Sequence, residues 1–195
     1  QDWTAKTAST LYSEVTGLGA WIEIAPQANV RNGALHYAFP ALATADADYY
    51  TAGLATSASV ATTVTTFLAT TPDFARNVTI LPGGTTADVA AGDYVITGTN
   101  VWGGVITETI TIAANASTSQ AGSKAFATIT SVLLPIQDGA AATFDIGFGV
   151  KIGLGRPFGV APCVLQAKAA GTVEATAPTV TADPNEVEKN VISFN

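Results

Sequence analysis

Few residues of this sequence belong to the types that carry catalysis or bind metals. Among 195 residues there is one histidine, His36, and one cysteine, Cys163. Nucleophilic catalysis needs a base beside the nucleophile, so a Ser/His/Asp arrangement would depend on His36 alone, and the sequence has no Gly-x-Ser-x-Gly motif. The apolar Val164-Leu165 after Cys163 indicates a small buried side chain. We therefore predict no enzyme, no catalytic residue, no cofactor and no metal site.

Two groups of carboxylates are the remaining candidates for chemistry. Asp46-Ala47-Asp48 places two carboxylates on the same side of an extended segment, but calcium takes six or more oxygens. No neighbouring loop supplies the others, so we interpret the pair as a solvated acidic turn. Glu108 stands alone and offers no glycosidase pair. It shares a strand face with Ile106 and Ile110, which predicts a structural role, either at the rim of the core or paired with a cation such as Arg76 or Lys124.

The other motifs in the sequence are weak. Asn77-Val78-Thr79 and Asn115-Ala116-Ser117 match the N-glycosylation pattern, which is common by chance in a chain rich in Thr and Ser. Gly153-Leu154-Gly155 lacks the further glycine and following helix of a nucleotide site. The three tryptophans are far apart in the sequence, and we expect burial in a core or an interface, with a sugar-binding platform as the alternative: Trp3, Trp21 and Trp102.

The composition excludes several classes of protein and favours contact with other proteins. Charged residues make up 12% of the chain, against about 25% in an average soluble domain. The net charge of −7, with eight Lys and Arg, argues against nucleic-acid binding. No stretch of about 20 apolar residues predicts a membrane span, and Gln1-Asp2-Trp3 lacks a signal-peptide pattern. Because no Met precedes Gln1, we expect either a processed N-terminus or numbering from an internal start.

The hydrophobic pattern predicts an all-β fold. Val105–Ile112 alternates apolar and polar residues, and residues 93–100 form the strand before it, joined by the glycine-containing turn at 101–104. Residues 60–68 have helical spacing but strand-forming threonines, and we favour a strand. We predict an antiparallel β-sandwich or barrel. Further strands are predicted at 20–24, at 76–81 ended by Pro82, at 124–134 ended by Pro135, and at 144–150, whose glycines indicate a bulge or a close backbone approach.

Three zones follow from this pattern. Residues 1–50 are predicted to form an N-terminal arm with a short strand, and residues 51–157 a β-sandwich or barrel body. Residues 158–195, rich in Ala, Thr, Val and Pro, are predicted to form a C-terminal extended arm. Such arms are suited to strand addition onto a neighbouring protein.

An ordered set of segments in the body resembles virion structural proteins of tailed bacteriophages. The segments are residues 72–79 (PDFARNVT), 95–100 (VITGTN), 104–110 (GVITETI), 124–126 with 129–130, and 147–153. The resemblance covers roughly residues 58–155. It implies a β-sandwich or barrel module of the capsid decoration (cement) type, and it carries no catalytic residues over to this chain.

The resemblance implies a protein on the exterior of the capsid that stabilises the shell. Its expected partners are the major capsid protein and further copies of itself, with a homotrimer as the expected oligomer. We expect no nucleic acid and no membrane as partners. Two alternatives stay open: a tail-tube or other polymerising tail subunit, and a glycan-binding surface adhesin that uses exposed Trp102, Tyr49 or Tyr50.

Overall fold

The prediction of an all-β fold is confirmed. The computed structural model describes residues 20–25, 35–39, 42–158, 163–169, 172–173 and 176–194, with side chains described in 42–158 and 176–194. Within these ranges the regular structure is antiparallel β-sheet, with only two short 3-10 turns, at Thr86–Asp88 and Val187–Lys189. None of the helical segments in these ranges is long and apolar enough to cross a membrane.

The described residues form fourteen strands, named here in chain order. They are β1 (Ala20–Ala25), β2 (Leu35–Phe39), β3 (Asp46–Ala55), β4 (Thr62–Val64), β5 (Arg76–Gly84), β6 (Gly92–Thr99), β7 (Val105–Ile112), β8 (Gln120–Phe126), β9 (Thr128–Leu134), β10 (Ala142–Gly153), β11 (Cys163–Ala169), β12 (Thr172–Val173), β13 (Thr179–Thr181) and β14 (Val191–Ser193).

The chain divides into two compact units. One unit comprises Gln1–Leu42 and Cys163–Ala177, and it contains a four-stranded sheet with the order β12-β11-β1-β2. The other unit comprises Ala43–Pro162 and Pro178–Asn195. Both segments predicted as arms therefore contribute strands to the first unit, while β3, β13 and β14 belong to the second.

Two sheets enclose the core of the larger unit. The first has the order β13-β14-β10-β5-β8, with β3 also paired to β10, and the second has the order β4-β9-β6-β7. Strand alternation turns one face of each sheet inward, and the rings of Tyr94 on β6 and Phe144 on β10 meet with centroids 5.0 Å apart. Fully burying such a side chain contributes about 1.5–3 kcal/mol. The core also holds Val78, Ile80, Ile96, Ile106, Ile110, Ile112, Phe126, Ile129, Val132, Leu134, Ile146 and Phe148.

Several predicted strands are confirmed. β7 has the predicted bounds and alternates exposed and buried residues throughout. It forms a hairpin with β6 through the predicted turn, in which Gly103 has the positive φ of 78° that glycine tolerates. β1 matches the prediction at 20–24, and the segment 60–68 contains only the short strand β4. The glycine-rich strand β10 shows the expected close approach, because a side chain at Gly147 would overlap the carbonyl of Asp46.

Two predicted strand boundaries are wrong. Residues 124–134 form two strands rather than one, because β8 pairs with β5 in the first sheet and β9 pairs with β6 in the second. The chain changes sheets at Ala127, whose N–H donates to Thr99 O at 2.7 Å. Pro82 does not end β5, which continues to Gly84 beside β10. Pairing with β8 stops at Ile80, so Pro82 lies at a free edge of β5, where its missing N–H is tolerated.

Candidate functional site

The two residues considered for nucleophilic chemistry lie in the smaller unit. His36 is on β2 opposite Glu23 of β1, and Cys163 begins β11 opposite Ala25. Their side chains, like those of Trp3 and Trp21, lie outside the described part of the structure. The interpretation of Cys163 as a buried hydrophobic residue therefore stays a prediction.

Glu108 is buried, and its partners are main-chain N–H groups and the hydroxyl of Ser123 rather than the predicted cations. It lies on β7 and is 9% exposed. Its Oε1 accepts hydrogen bonds from Ser123 N at 2.6 Å, from Ser123 Oγ at 2.8 Å and from Lys124 N at 3.2 Å. β7 and β8 end their respective sheets, so the carboxylate joins one sheet edge to the other. A side chain at Gly122 would overlap this carboxylate, so the carboxylate occupies space that glycine leaves free.

The acidic pair lies at the start of a strand, so its interpretation as a turn is wrong. Asp46 is the first residue of β3, and the N–H of Asp48 donates to Asp46 Oδ1 at 3.3 Å. A hydrogen bond between the two carboxyl side chains and the repulsion between their charges raise the pKa of Asp48. Across the residues that the structure describes, no group of three or more His, Cys, Asp or Glu is placed to hold a metal ion.

Asn77 is a buried structural residue. It is 1% exposed on β5, its Nδ2 donates to Gly122 O at 3.3 Å, and its Oδ1 accepts from Lys151 N at 3.0 Å. A buried asparagine has no room for an attached glycan, which agrees with the interpretation of the Asn77-Val78-Thr79 motif as a chance match. Asn115 is exposed and has a φ of 57°. Gly153 ends β10 and Gly155 has a φ of 64°, and no α-helix follows them in the described chain.

The sequence analysis missed an ion pair between a buried arginine, Arg76, and an exposed aspartate, Asp73. Arg76 is 2% exposed, and its Nε and Nη2 donate to the two carboxylate oxygens of Asp73 at 2.8 and 2.7 Å. Arg76 also donates to Ala43 O and lies 5.0 Å from the ring centroid of Phe148. Burial raises the pKa of Asp73, but the hydrogen bonds from Arg76 and Ala43 outweigh it and hold the pKa below its usual value. The one signal for this pair in the sequence is the spacing Asp-x-x-Arg directly before a strand.

The tyrosines proposed for glycan binding are largely occupied within the fold. Tyr50 is fully buried, and burial strongly raises the pKa of its hydroxyl. Tyr49 packs edge-on against Tyr50 and Phe148, and its hydroxyl donates to Thr71 O at 2.8 Å. The expectation that Tyr50 is exposed for glycan binding is therefore wrong.

Trp102 is the most exposed aromatic residue among the described side chains, and it is held in place. It lies in the β6–β7 turn with 73% of its surface exposed. Its Nε1 donates to Gly155 O at 3.1 Å, and its backbone N–H donates to Asn100 Oδ1 at 2.9 Å. Val101 and Val105, 41% and 76% exposed, flank it in the sequence. The indole is thus an ordered apolar group with its one polar atom already bonded.

The outer face of the β4-β9-β6-β7 sheet is almost without charge. Strand pairing aligns Thr63, Leu133, Val95 and Thr109 in one row across the four strands. The face carries one charged residue, Asp93, whose Oδ1 accepts from Thr111 Oγ1 at 2.7 Å. Its members are exposed or half-buried: Thr63, Asp93, Val95, Thr97, Thr99, Val105, Thr107, Thr109, Thr111, Ser131 and Leu133. We call this set the threonine face.

Comparison of the chain with protein-family models, with curated proteins and with solved structures finds no match.

The threonine face and the ordered Trp102 are the features of the described surface that are best suited to bind a partner.

Proposed function

We propose that this chain is a non-enzymatic virion structural protein of the capsid decoration (cement) type. It binds the outer surface of a capsid as a homo-oligomer and stabilises the shell. The observation that carries this proposal is the threonine face, a sheet face with Asp93 as its one charged residue, since protein interfaces are depleted of charge at their centres. The resemblance of residues 58–155 to phage virion proteins supports the same function.

The mechanism is stabilisation by mass action. A protein that binds the assembled shell and not its separated subunits shifts the equilibrium towards the shell. This function needs no catalytic residue, only surfaces that contact neighbouring proteins.

Trp102 supplies an anchor for such a contact. Tryptophan is enriched among the residues that dominate binding energy at interfaces. The hydrogen bond from its Nε1 to Gly155 O fixes the ring before binding, which lowers the entropy lost on association. Because Trp102 is 73% exposed in the free chain, its burial by a partner removes a large apolar area from water.

Binding to purified capsids tests the proposal. Trp102→Ala should lower capsid occupancy by 10-fold or more, because interface tryptophans often contribute about 2 kcal/mol or more. Leu68→Ala is the matched control, since Leu68 is 77% exposed and lies outside the β6–β7 turn. Both variants should melt as the wild type does. The proposal would be contradicted if capsids took up no wild-type protein. It would also be contradicted if capsids with the protein bound were no more resistant to heat than capsids without it.

Copy number separates the head from the tail. Quantitative mass spectrometry of purified particles should give a ratio to the major capsid protein near one, or a simple large fraction of it. A small ratio that changes with tail length would instead indicate a tail subunit.

Glycan binding is the second candidate, and the exposed ring of Trp102 favours it. Aromatic faces are amphipathic contact surfaces, and a sugar ring can stack on an indole whose N–H is already bonded. Saturable binding on a glycan array, lost in Trp102→Ala and kept in Leu68→Ala, would establish this function instead.

A further inference from the structure

We propose that the threonine face is a self-association surface that packs against the same face of a second copy of this chain. The inference rests on the proposed function in one respect: it assigns the surface through which the copies of the homo-oligomer meet. Its evidence is the charge, the hydrogen-bonding chemistry and the size of the face.

Charge is the first argument for a second copy as the occupant. The chain has a net charge of −7, so most ways of bringing two copies together place acidic groups near one another. The threonine face has only Asp93, and that carboxylate accepts a hydrogen bond from Thr111. A strongly basic or acidic partner would find almost no counter-charge here, whereas a second uncharged face meets no repulsion.

Self-complementarity is the second argument. A contact between identical surfaces requires each group to be matched by a copy of the same set. A hydroxyl both donates and accepts a hydrogen bond, so rows of threonine can pair with rows of threonine. The apolar members Val95, Val105 and Leu133 supply methyl groups that interdigitate between these rows, as in sheets that stack about 10 Å apart.

The geometry favours a twofold axis that crosses the strands. Asp93 and Thr111 lie at one end of the β6–β7 ladder, and Thr99 and Val105 at the other. A twofold axis perpendicular to the strands, in the plane between the sheets, places Asp93 of each copy opposite the Thr99 end of the other. The two carboxylates are then far apart. An axis parallel to the strands would bring these ends together and is disfavoured.

The size of the face predicts a weak dimer. With strands about 4.8 Å apart and a rise of about 3.3 Å per residue, the four strands present about 400 Å² in projection. Two such faces cover about 800 Å², below the standard range for stable complexes. We expect a dimer that forms at tens of micromolar or above, and that a capsid surface promotes by concentrating the copies.

Analytical ultracentrifugation from about 1 µM to about 500 µM tests the inference. Wild-type protein should shift from the 19.7 kDa chain mass towards twice that mass. Leu133→Arg and Thr109→Arg should each raise the dissociation constant about 100-fold or more, because like charges then meet in a desolvated interface. Val150→Arg is the matched control: Val150 is an exposed apolar residue, 51% exposed, on β10 outside the threonine face, and this variant should dimerise as the wild type does.

Hydrogen exchange supplies a readout that needs no variant. Amides of β6 and β7 should exchange more slowly at high than at low protein concentration, and amides of β10 should not change. A wild-type chain that stays monomeric, or that forms a trimer, would overturn the inference, as would dimerisation that Leu133→Arg leaves intact. A monomer that still binds capsids overturns the inference and leaves the capsid-binding part of the proposed function standing. A dimer that does not bind capsids supports the inference and contradicts the proposed function.

Discussion

The carboxylate of Glu108 should be one of the strongest single contributions to the stability of the larger unit. It joins the edge strands β7 and β8 by accepting hydrogen bonds from Ser123 N, Ser123 Oγ and Lys124 N. No lysine, arginine or histidine lies within ion-pair distance of it among the described side chains. The charge is therefore stabilised by main-chain N–H groups and one hydroxyl.

The magnitude follows from these contacts. A hydrogen bond to a charged group contributes about 1.5–3 kcal/mol, and a buried donor left without a partner costs about 1–3 kcal/mol. Water can serve the hydroxyl of Ser123, which is exposed, so the two main-chain N–H groups dominate. We expect Glu108→Ala to lower the free energy of unfolding by about 3 kcal/mol, or about 6–12 °C in Tm. Glu108→Gln keeps Oε1 and should cost about 1 kcal/mol.

Guanidinium unfolding monitored by hydrogen exchange at β7 and β8 measures the loss locally, which matters in a chain with two compact units. Gly122→Ala provides a coupled test. Its methyl group would overlap the Glu108 carboxylate, so it should destabilise the wild type strongly and the Glu108→Ala variant much less. Thr109→Ala, an exposed change on the same strand, is the control and should stay within about 0.5 kcal/mol of the wild type.

Two results would refute this reasoning. If Glu108→Ala unfolds within about 0.5 kcal/mol of the wild type, the edge donors do not depend on the carboxylate. If Gly122→Ala costs the same with and without Glu108, the carboxylate does not occupy the space against Gly122.

Two further perturbations address polar contacts elsewhere in the larger unit. Because the pKa of Asp73 is lowered in the folded state, its contribution is complete above the unfolded value of about 4 and is lost as the pH falls below it. Acid titration of the unfolding free energy should therefore give a shallower loss for Asp73→Asn than for the wild type, and equal slopes would contradict the role of the Arg76 pair. Asn190 is fully buried and bonds to Asp183 and to Phe158 N. Asn190→Ala should cost about 3 kcal/mol and speed hydrogen exchange at residues 183–190, and unchanged exchange there would refute its role.

Local pattern predicted the parts of the fold in which one face is buried and the other is solvated. β7 is the clearest case, because each apolar residue of Val105–Ile112 except Val105 faces the core. The division at Ala127 carries no clear local signal: Phe126, Thr128 and Ile129 beside it are good strand formers. The break exists because β8 and β9 pair with different sheets. The ten-residue strand β3 was missed for a related reason, since its run of Asp, Ala, Thr and Gly has no clear alternation.

The polar sites were harder to predict than the strands. Burial of Glu108 follows from its place between Ile106 and Ile110. Its partners, however, are two main-chain N–H groups and one hydroxyl on β8, and the residue types of the sequence do not predict such contacts. Arg76 and Asp73 could be recognised as a pair by their spacing, but the burial of Arg76 involves Ala43 and Phe148, which only the tertiary fold brings to it.

The positions of the charged side chains explain how a chain with few charges can have a nearly uncharged sheet face. Of the five cationic side chains that the structure describes, four are bonded within the chain. Arg76 pairs with Asp73, Lys124 and Lys189 pair with Glu186, and Lys151 Nζ donates to Gly122 O. These cations hold β5, β8, β10 and the C-terminal segment together, so they add little to the solvation of the outer surface. The outward face of the second sheet therefore consists mainly of threonine and valine. The threonine hydroxyls are solvated by water, and the methyl groups favour contact with a surface of the same kind.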